Sequence, residues 1–210
     1  MGTAGFFLIT FVFTFALQLP AALARLGMLP GDPNAYLALA TFGIFGPLVA
    51  ASWLTHRERG RAGVRALFGG LVDFRVPVRW ALAALFLPAL LLSLGLWSMR
   101  AAGYQGAWHY LPGLPQLVVA LVVSVAEETG WRGYALPRLT EKYGAFLGSS
   151  ILGVLWALWH IPMFMAVGIP MSLGLVMLLF FVGGSLYFTF LYRKAQGSLL
   201  IAVLAHVGAH

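Results

Sequence analysis

The sequence predicts an all-α fold, a polytopic membrane helix bundle of about seven transmembrane helices. Composition points there first. Of 210 residues, 61% are hydrophobic and only 9% charged, where a soluble domain carries about 25% charged residues. A soluble fold of this length has too little interior to hide that much apolar surface, so lipid is the natural solvent. Apolar runs long enough to span a bilayer then recur along the chain. Finally, the basic residues gather in alternate connecting segments. The ten-residue alternating segments of an outer-membrane barrel are absent. No internal repeat or low-complexity segment stands out, so residues 1–210 read as one membrane-embedded domain.

The first run, Phe6 to Ala24, lacks a basic start and exceeds the roughly 7–15 apolar residues of a signal peptide, which predicts a retained helix over 5–25. Gly31-Asp32-Pro33 reads as a turn, followed by a second span over 35–55. In the next segment Val64, Leu67, Phe68, Leu71, Val72 and Phe74 are interleaved with arginines, the pattern of a short amphipathic helix on the cytoplasmic surface. Further spans are expected over 79–99, 114–128, 145–167, 171–192 and 197–210. The fourth and seventh are short of apolar residues and carry ionisable groups. Gly183-Gly184-Ser185 in the sixth predicts close helix packing. Trp53, Trp80, Trp97 and Tyr192 fall where interfacial aromatic belts are expected, and the Met163–Met165 region reads as packing rather than a metal box. The last run is still apolar at His210, which suggests a truncated chain or a missing final helix.

Charge placement sets an orientation. All but Arg25 and Arg100 of the 13 lysines and arginines lie in the segments after the second, fourth and sixth spans. The positive-inside rule makes those segments cytoplasmic and places the N-terminus in the cytoplasm, in a multi-pass protein of the inner (plasma) membrane. The net charge of +7 therefore reflects topology. Basic patches interleaved with exposed aromatics are not seen, so no nucleic-acid partner is expected. There is no cysteine, hence no disulfide, thiolate zinc site or cysteine nucleophile.

A charge at membrane depth costs roughly 2.5–3.5 kcal/mol on insertion scales, so the ionisable groups that occur there mark function. Glu127-Glu128-Thr129-Gly130-Trp131-Arg132 closes the fourth span. Glu128 and Arg132, four apart, can pair along one helix face. Glu127 points about 100° away, free for other chemistry. A helix end with a surface salt bridge is the plainer reading, weakened by two adjacent carboxylates directly after an apolar run. His160 lies inside the fifth span, one turn from Trp156, and Pro162 loosens that helix and can admit water. A lone buried histidine more commonly just bonds a neighbouring helix. His206 and His210 share a face of the last span, where a frayed chain end is the competing reading. At 1.5 Å per residue, Glu127, His160 and His206 lie roughly 15–22 Å along their spans, deep enough to meet.

A carboxylate beside an imidazole can take a proton from water and return it to a leaving amine, while a further donor holds the oxyanion. No serine or threonine sits in a recognisable nucleophile motif, which favours direct attack by water. The same residues could ligate Zn²⁺, with Glu127, His160 and His206 as the ligand set, but no His-Glu-x-x-His helix supports a metal independently.

Glu127-Glu128-x-x-x-Arg132, Trp156-x-x-x-His160 and His206-x-x-x-His210, in that order, resemble the three motifs of the CAAX-protease and bacteriocin-processing (CPBP, or Abi) family of intramembrane endopeptidases. The resemblance covers about residues 115–210; the first half is similar only in being membrane-spanning. It implies that Glu127 and His160 activate the attacking water, that His206 and His210 hold the oxyanion, and that Glu128, Arg132 and Trp156 support the site. It leaves open a metal-dependent or a metal-free glutamate mechanism. Position 156 is Trp where Phe is common, and position 210 is His where Asn is usual. The implied partners are a peptide or membrane-protein substrate and the lipid bilayer. Two other readings compete. One is a non-catalytic binding or bacteriocin-immunity protein on the same scaffold. The other is a proton-coupled transporter, which lacks the support of an inverted repeat.

Overall fold

A computed structural model describes residues 2–101 and 113–210. Those residues form a membrane-embedded helical bundle with no strand among them. α1 runs Gly2–Arg25, α2 Pro33–Ala40, α3 Gly46–Gly69, α4 Val78–Ala101, α5 Leu114–Gly130, α6 Leu136–Ala166, α7 Gly174–Lys194 and α8 Leu199–Val207. Each expected span is met by a helix. The count of seven crossings is not thereby established. Four helical stretches, within 2–25, 33–72, 114–166 and 171–194, are long and apolar enough to cross a bilayer, with a shorter apolar helix over Val78–Leu94. α8, at 9 residues, is too short to cross unaided.

Local chemistry sets several boundaries. Asp32 caps α2 by accepting from the backbone N–H of Asn34 at 2.9 Å, and Pro33 follows as the first helical residue, as the turn at 31–33 predicts. Ser198 caps α8 through the N–H of Ile201. The amphipathic segment after the second span is helical and begins at a sharp turn within α3. Gly60 makes that turn with φ 62° and ψ −161°, a conformation open to glycine and strained for other residues. Beyond it, Leu67 packs on the core while Val72 and Phe74 stay exposed. Just after this segment Arg75 clasps Asp73 at 2.9 and 3.0 Å, and that hydrogen bonding holds the Asp73 carboxyl below its usual range.

The segment between the fourth and fifth spans differs from expectation. It is a π-helical turn over Trp131–Ala135 running directly into α6, which bends at Gly144 (φ 77°). Arg132, counted by the sequence among loop cations, is wholly buried. α6 also passes through Pro162 without ending. Its ring has no N–H to give, yet the helix lies inside the bundle, where neighbours hold its course.

α6 is the central strut, packed against α1 on one side and α7 on the other. α5 sits between α3 and α8, and α4 covers α8. The core is aromatic. Phe6 lies edge-on to Trp131 at 5.6 Å and stacked on Tyr134 at 5.2 Å, and Trp156 lies edge-on to Phe181 at 4.8 Å. Small residues bring α6 and α7 close, through Gly153 on α6 and, within the run singled out in the sequence, through Ser185 rather than Gly183. A β-carbon on Gly153 of α6 would come within 2.6 Å of Val182 Cα, whereas one on Gly183 would meet nothing within 4 Å. The contact on α7 is made by Ser185, whose hydroxyl donates to the Ser149 carbonyl at 2.9 Å. Exposed leucines, valines and phenylalanines along α1, α4, α5 and α7 cover the outside, as lipid requires.

Candidate active site

Seven consecutive residues, Ala126 to Arg132, are buried, across the junction of α5 and the π turn. An amphipathic helix has one wet face. This segment has none, because α3 and α8 pack on α5, while Phe6 of α1 and Trp156 and Trp159 of α6 close on Trp131 and Glu127. Gly130 admits α3 on one side: a β-carbon there would overlap Pro47. The π turn widens the helix by one residue, a device frequent at functional sites. It leaves Glu127, Glu128, Trp131 and Arg132 all pointing into protein, each at most 2% exposed.

The two carboxylates meet different partners. Glu128 Oε1 accepts from Arg132 Nη1 at 2.8 Å and from His206 Nδ1 of α8 at 2.8 Å. Glu127 Oε2 accepts from two indoles, Trp156 Nε1 of α6 at 2.7 Å and Trp131 Nε1 at 3.3 Å. One carboxylate is thus neutralised by a cation and the other is held by neutral donors, the division expected from their angular separation. Arg132 also lies 4.8 Å from the ring centres of both Trp156 and Phe188, so faces of negative quadrupole surround the buried guanidinium.

His160 donates from Nδ1 to the Trp156 carbonyl at 2.9 Å. A carbonyl can only accept, so this bond fixes the proton on Nδ1 and leaves the lone pair of a neutral ring on Nε2. The ring is walled by Trp159 at 4.7 Å, Phe181 at 4.4 Å and Phe164 at 5.4 Å, and it lies within electrostatic reach of Glu127 and His206. His210 stacks flat on His206, with ring centres 5.1 Å apart and planes 4° from parallel. It is more exposed than the rest of the cluster.

The structure therefore gathers Glu127, Glu128, Arg132, Trp156, His160, His206 and His210 around one junction of α5, α6 and α8. Trp131 was not singled out in the sequence; the available signal was its place four residues after Glu127, the i to i+4 relation that also joins Glu128 to Arg132. The ligand set considered for a metal was Glu127, His160 and His206. Among the described residues no three His, Asp or Glu side chains converge to hold an ion, and Glu127 Oε2 is already taken by indoles.

Two clefts flank the bundle. One of about 460 Å³ lies between α6 and α7, lined by Phe146, Ser149, Phe190, Arg193 and Lys194, away from the carboxylates. The other, about 440 Å³, is lined by Gln116, Leu117, Ala120, Val207 and His210 and so reaches the cluster through His210. It approaches from the N-terminal half of α5, the end remote from the basic segments.

Residues 109–210 match the Rce1-like family, described as type II CAAX prenyl endopeptidase Rce1-like. All three motifs fall inside that match. The C-terminal half is thus similar to a CAAX-protease family. A similar protein is the CAAX prenyl protease 2 of Methanococcus maripaludis, 26% identical over 167 residues. That similarity covers 75% of this chain, so it extends into the first half, where the sequence by itself shows only shared membrane character. The aligned part makes up 61% of the relative's length.

Proposed function

We propose that the chain is an intramembrane endopeptidase of the CAAX-protease family that hydrolyses peptide bonds of membrane-associated peptides or proteins with activated water. One observation carries this reading: a carboxylate held only by neutral donors, Glu127, and an imidazole with a fixed tautomer, His160, lie within electrostatic reach of each other inside an apolar bundle, next to a second carboxylate that is already neutralised. Purely structural ion pairing would account for Glu128 and Arg132 but leaves Glu127 with no cation of its own.

In this reading Glu127 takes a proton from water held between its carboxylate and His160 Nε2. The oxygen attacks the scissile carbonyl carbon, and the negative charge moves to the carbonyl oxygen. His206, anchored through Nδ1 to Glu128, and His210 are the donors to that oxyanion. The tetrahedral intermediate then collapses, the C–N bond breaks, and the proton on Glu127 passes to the leaving amine. Trp156, Arg132 and Glu128 hold these groups in place. The name of the relative in Methanococcus maripaludis makes a prenylated CAAX-type peptide the natural first substrate to try. We further read residues 1–210 as a single unit of the plasma membrane with a cytoplasmic N-terminus, on the placement of basic residues.

The test is cleavage of a fluorogenic prenylated peptide by protein in detergent or vesicles. Glu127→Ala and His160→Ala are expected to lower the rate by about 10²–10⁴-fold, the range for loss of a general base, without shifting the melting temperature. Equal cleavage by wild type and both variants would remove the proposal.

A further inference from the structure

Glu127 is held by two tryptophans where aromatic packing alone would need none. Phenylalanine would fill either ring position, but only indole carries an N–H. Both indole nitrogens converge on the same oxygen: Trp156 Nε1 lies 2.7 Å and Trp131 Nε1 3.3 Å from Glu127 Oε2. The two rings come from different elements, Trp131 from the π turn and Trp156 from α6. Each is itself immobilised. Trp131 is pinned edge-on by Phe6 at 5.6 Å and by Trp159 at 5.6 Å. Trp156 is pinned by Phe181 at 4.8 Å, and its face is covered by Arg132. The second oxygen is treated differently. Oε1 receives no donor among the described residues, and it is not one of the fully enclosed, unpartnered polar atoms.

We propose that Trp131 and Trp156 act as positioning residues, a paired indole clamp that holds Glu127 by Oε2 and so presents Oε1 to the attacking water. This rests on the endopeptidase reading above. The physical basis is geometric. Rotation of the carboxylate about its last bond would break two hydrogen bonds at once, so one oxygen is committed to the protein and the other is aimed. Neutral donors suit this task better than a cation, because an Arg or Lys at the same place would form an ion pair with the base and compete with its proton acceptance. The π turn acquires a reason as well, since it is the element that carries Trp131 inward at the end of α5.

Trp156→Phe keeps the ring and removes the donor. In the prenylated-peptide assay it is expected to lower kcat on the order of tenfold to a hundredfold, the cost of a misplaced reacting group, with KM unchanged. Trp131→Phe, losing the longer bond, should cost less. The double variant should lose less than the product of the two single effects, because both act on one oxygen. A second readout does not need activity. The chain has 7 tryptophans, and the two Phe variants identify the indole N–H resonances of Trp131 and Trp156 in an NMR spectrum. In Glu127→Leu both resonances should move upfield as their acceptor is lost. Unchanged kcat in Trp156→Phe overturns the clamp, and so do two unmoved resonances in Glu127→Leu. Should wild type cleave no peptide, the endopeptidase reading falls, and the resonances alone decide whether the clamp exists.

Discussion

Arg132 concentrates the energetics of the site. It is wholly buried, bonded to Glu128, and flanked by two aromatic faces. Desolvating a charge pair costs several kcal/mol per ion, and only a close partner offsets it. Removing one partner leaves the other stranded. Arg132→Ala is therefore expected to destabilise the protein by about 3–5 kcal/mol, seen as a lower melting temperature and poor recovery from the membrane. Arg132→Met with Glu128→Gln should restore much of that loss, because neither partner of this ion pair is left without the other. If the double variant is as unstable as the single one, the charge argument is wrong and packing of the guanidinium governs. The ion pair of Glu58 with Arg138 (2.6 Å) belongs to a different regime, since both side chains are partly exposed and pairs of that kind contribute about 0–1 kcal/mol. At this scale much was legible. The i to i+4 relation of Glu128 and Arg132, and the cost of any charge in lipid, single out the same residues that the structure brings together. Trp131 was not legible as a donor, because an indole in an apolar helix reads as packing until its nitrogen is seen to face an oxygen.

Helices in this protein are joined by small residues and by bends, and neither is well marked along the chain. Gly153 and Gly183 show why. Both lie in apolar helices, and Gly183 belongs to the more suggestive run of small residues. Yet Gly153 is the one pressed on a neighbour, with Val182 Cα 2.6 Å from the place of a β-carbon. Gly153→Ala is expected to force α6 and α7 apart and cost about 1–3 kcal/mol, the usual range for overpacking. Gly183→Ala should be neutral within about 0.5 kcal/mol, as for surface changes generally. Melting curves of the two variants decide it, and a more damaging Gly183→Ala would reverse the assignment. The junction of α5 and α6 was misread for a related reason. Three basic residues between two apolar runs look like a loop, but a helix can carry cations through a π turn and a bend at Gly144 when the surrounding helices satisfy its backbone.

Across the whole molecule the basic residues and the site lie in a consistent relation. The carboxylates sit at the end of α5 nearest the basic segments, while the cleft that reaches His210 approaches from the other end of that helix. The proposed orientation then puts the basic segments in the cytoplasm and the cleft toward the opposite leaflet. Because the chain has no cysteine, single cysteines can report this directly. Glu141→Cys and Gln196→Cys should resist a membrane-impermeant thiol reagent in intact cells and react after lysis, whereas Leu29→Cys should react before lysis. The inverse labelling pattern would turn the protein over in the membrane and refute the cytoplasmic N-terminus.

By itself the sequence determined the solvent, the helical class, the alternation of charged segments and the residues worth suspecting. These follow from local cost: each apolar run must be long enough for the bilayer, and each buried charge must justify its presence, so both leave marks in consecutive residues. Only the tertiary structure decided which oxygen of which carboxylate meets which donor. Those contacts join α5 to α6 and α8 across 29 residues for Trp156 and 78 for His206. Their geometry depends on how far each helix is turned about its own axis. That rotation is set by packing against neighbours, and no stretch of adjacent residues records it.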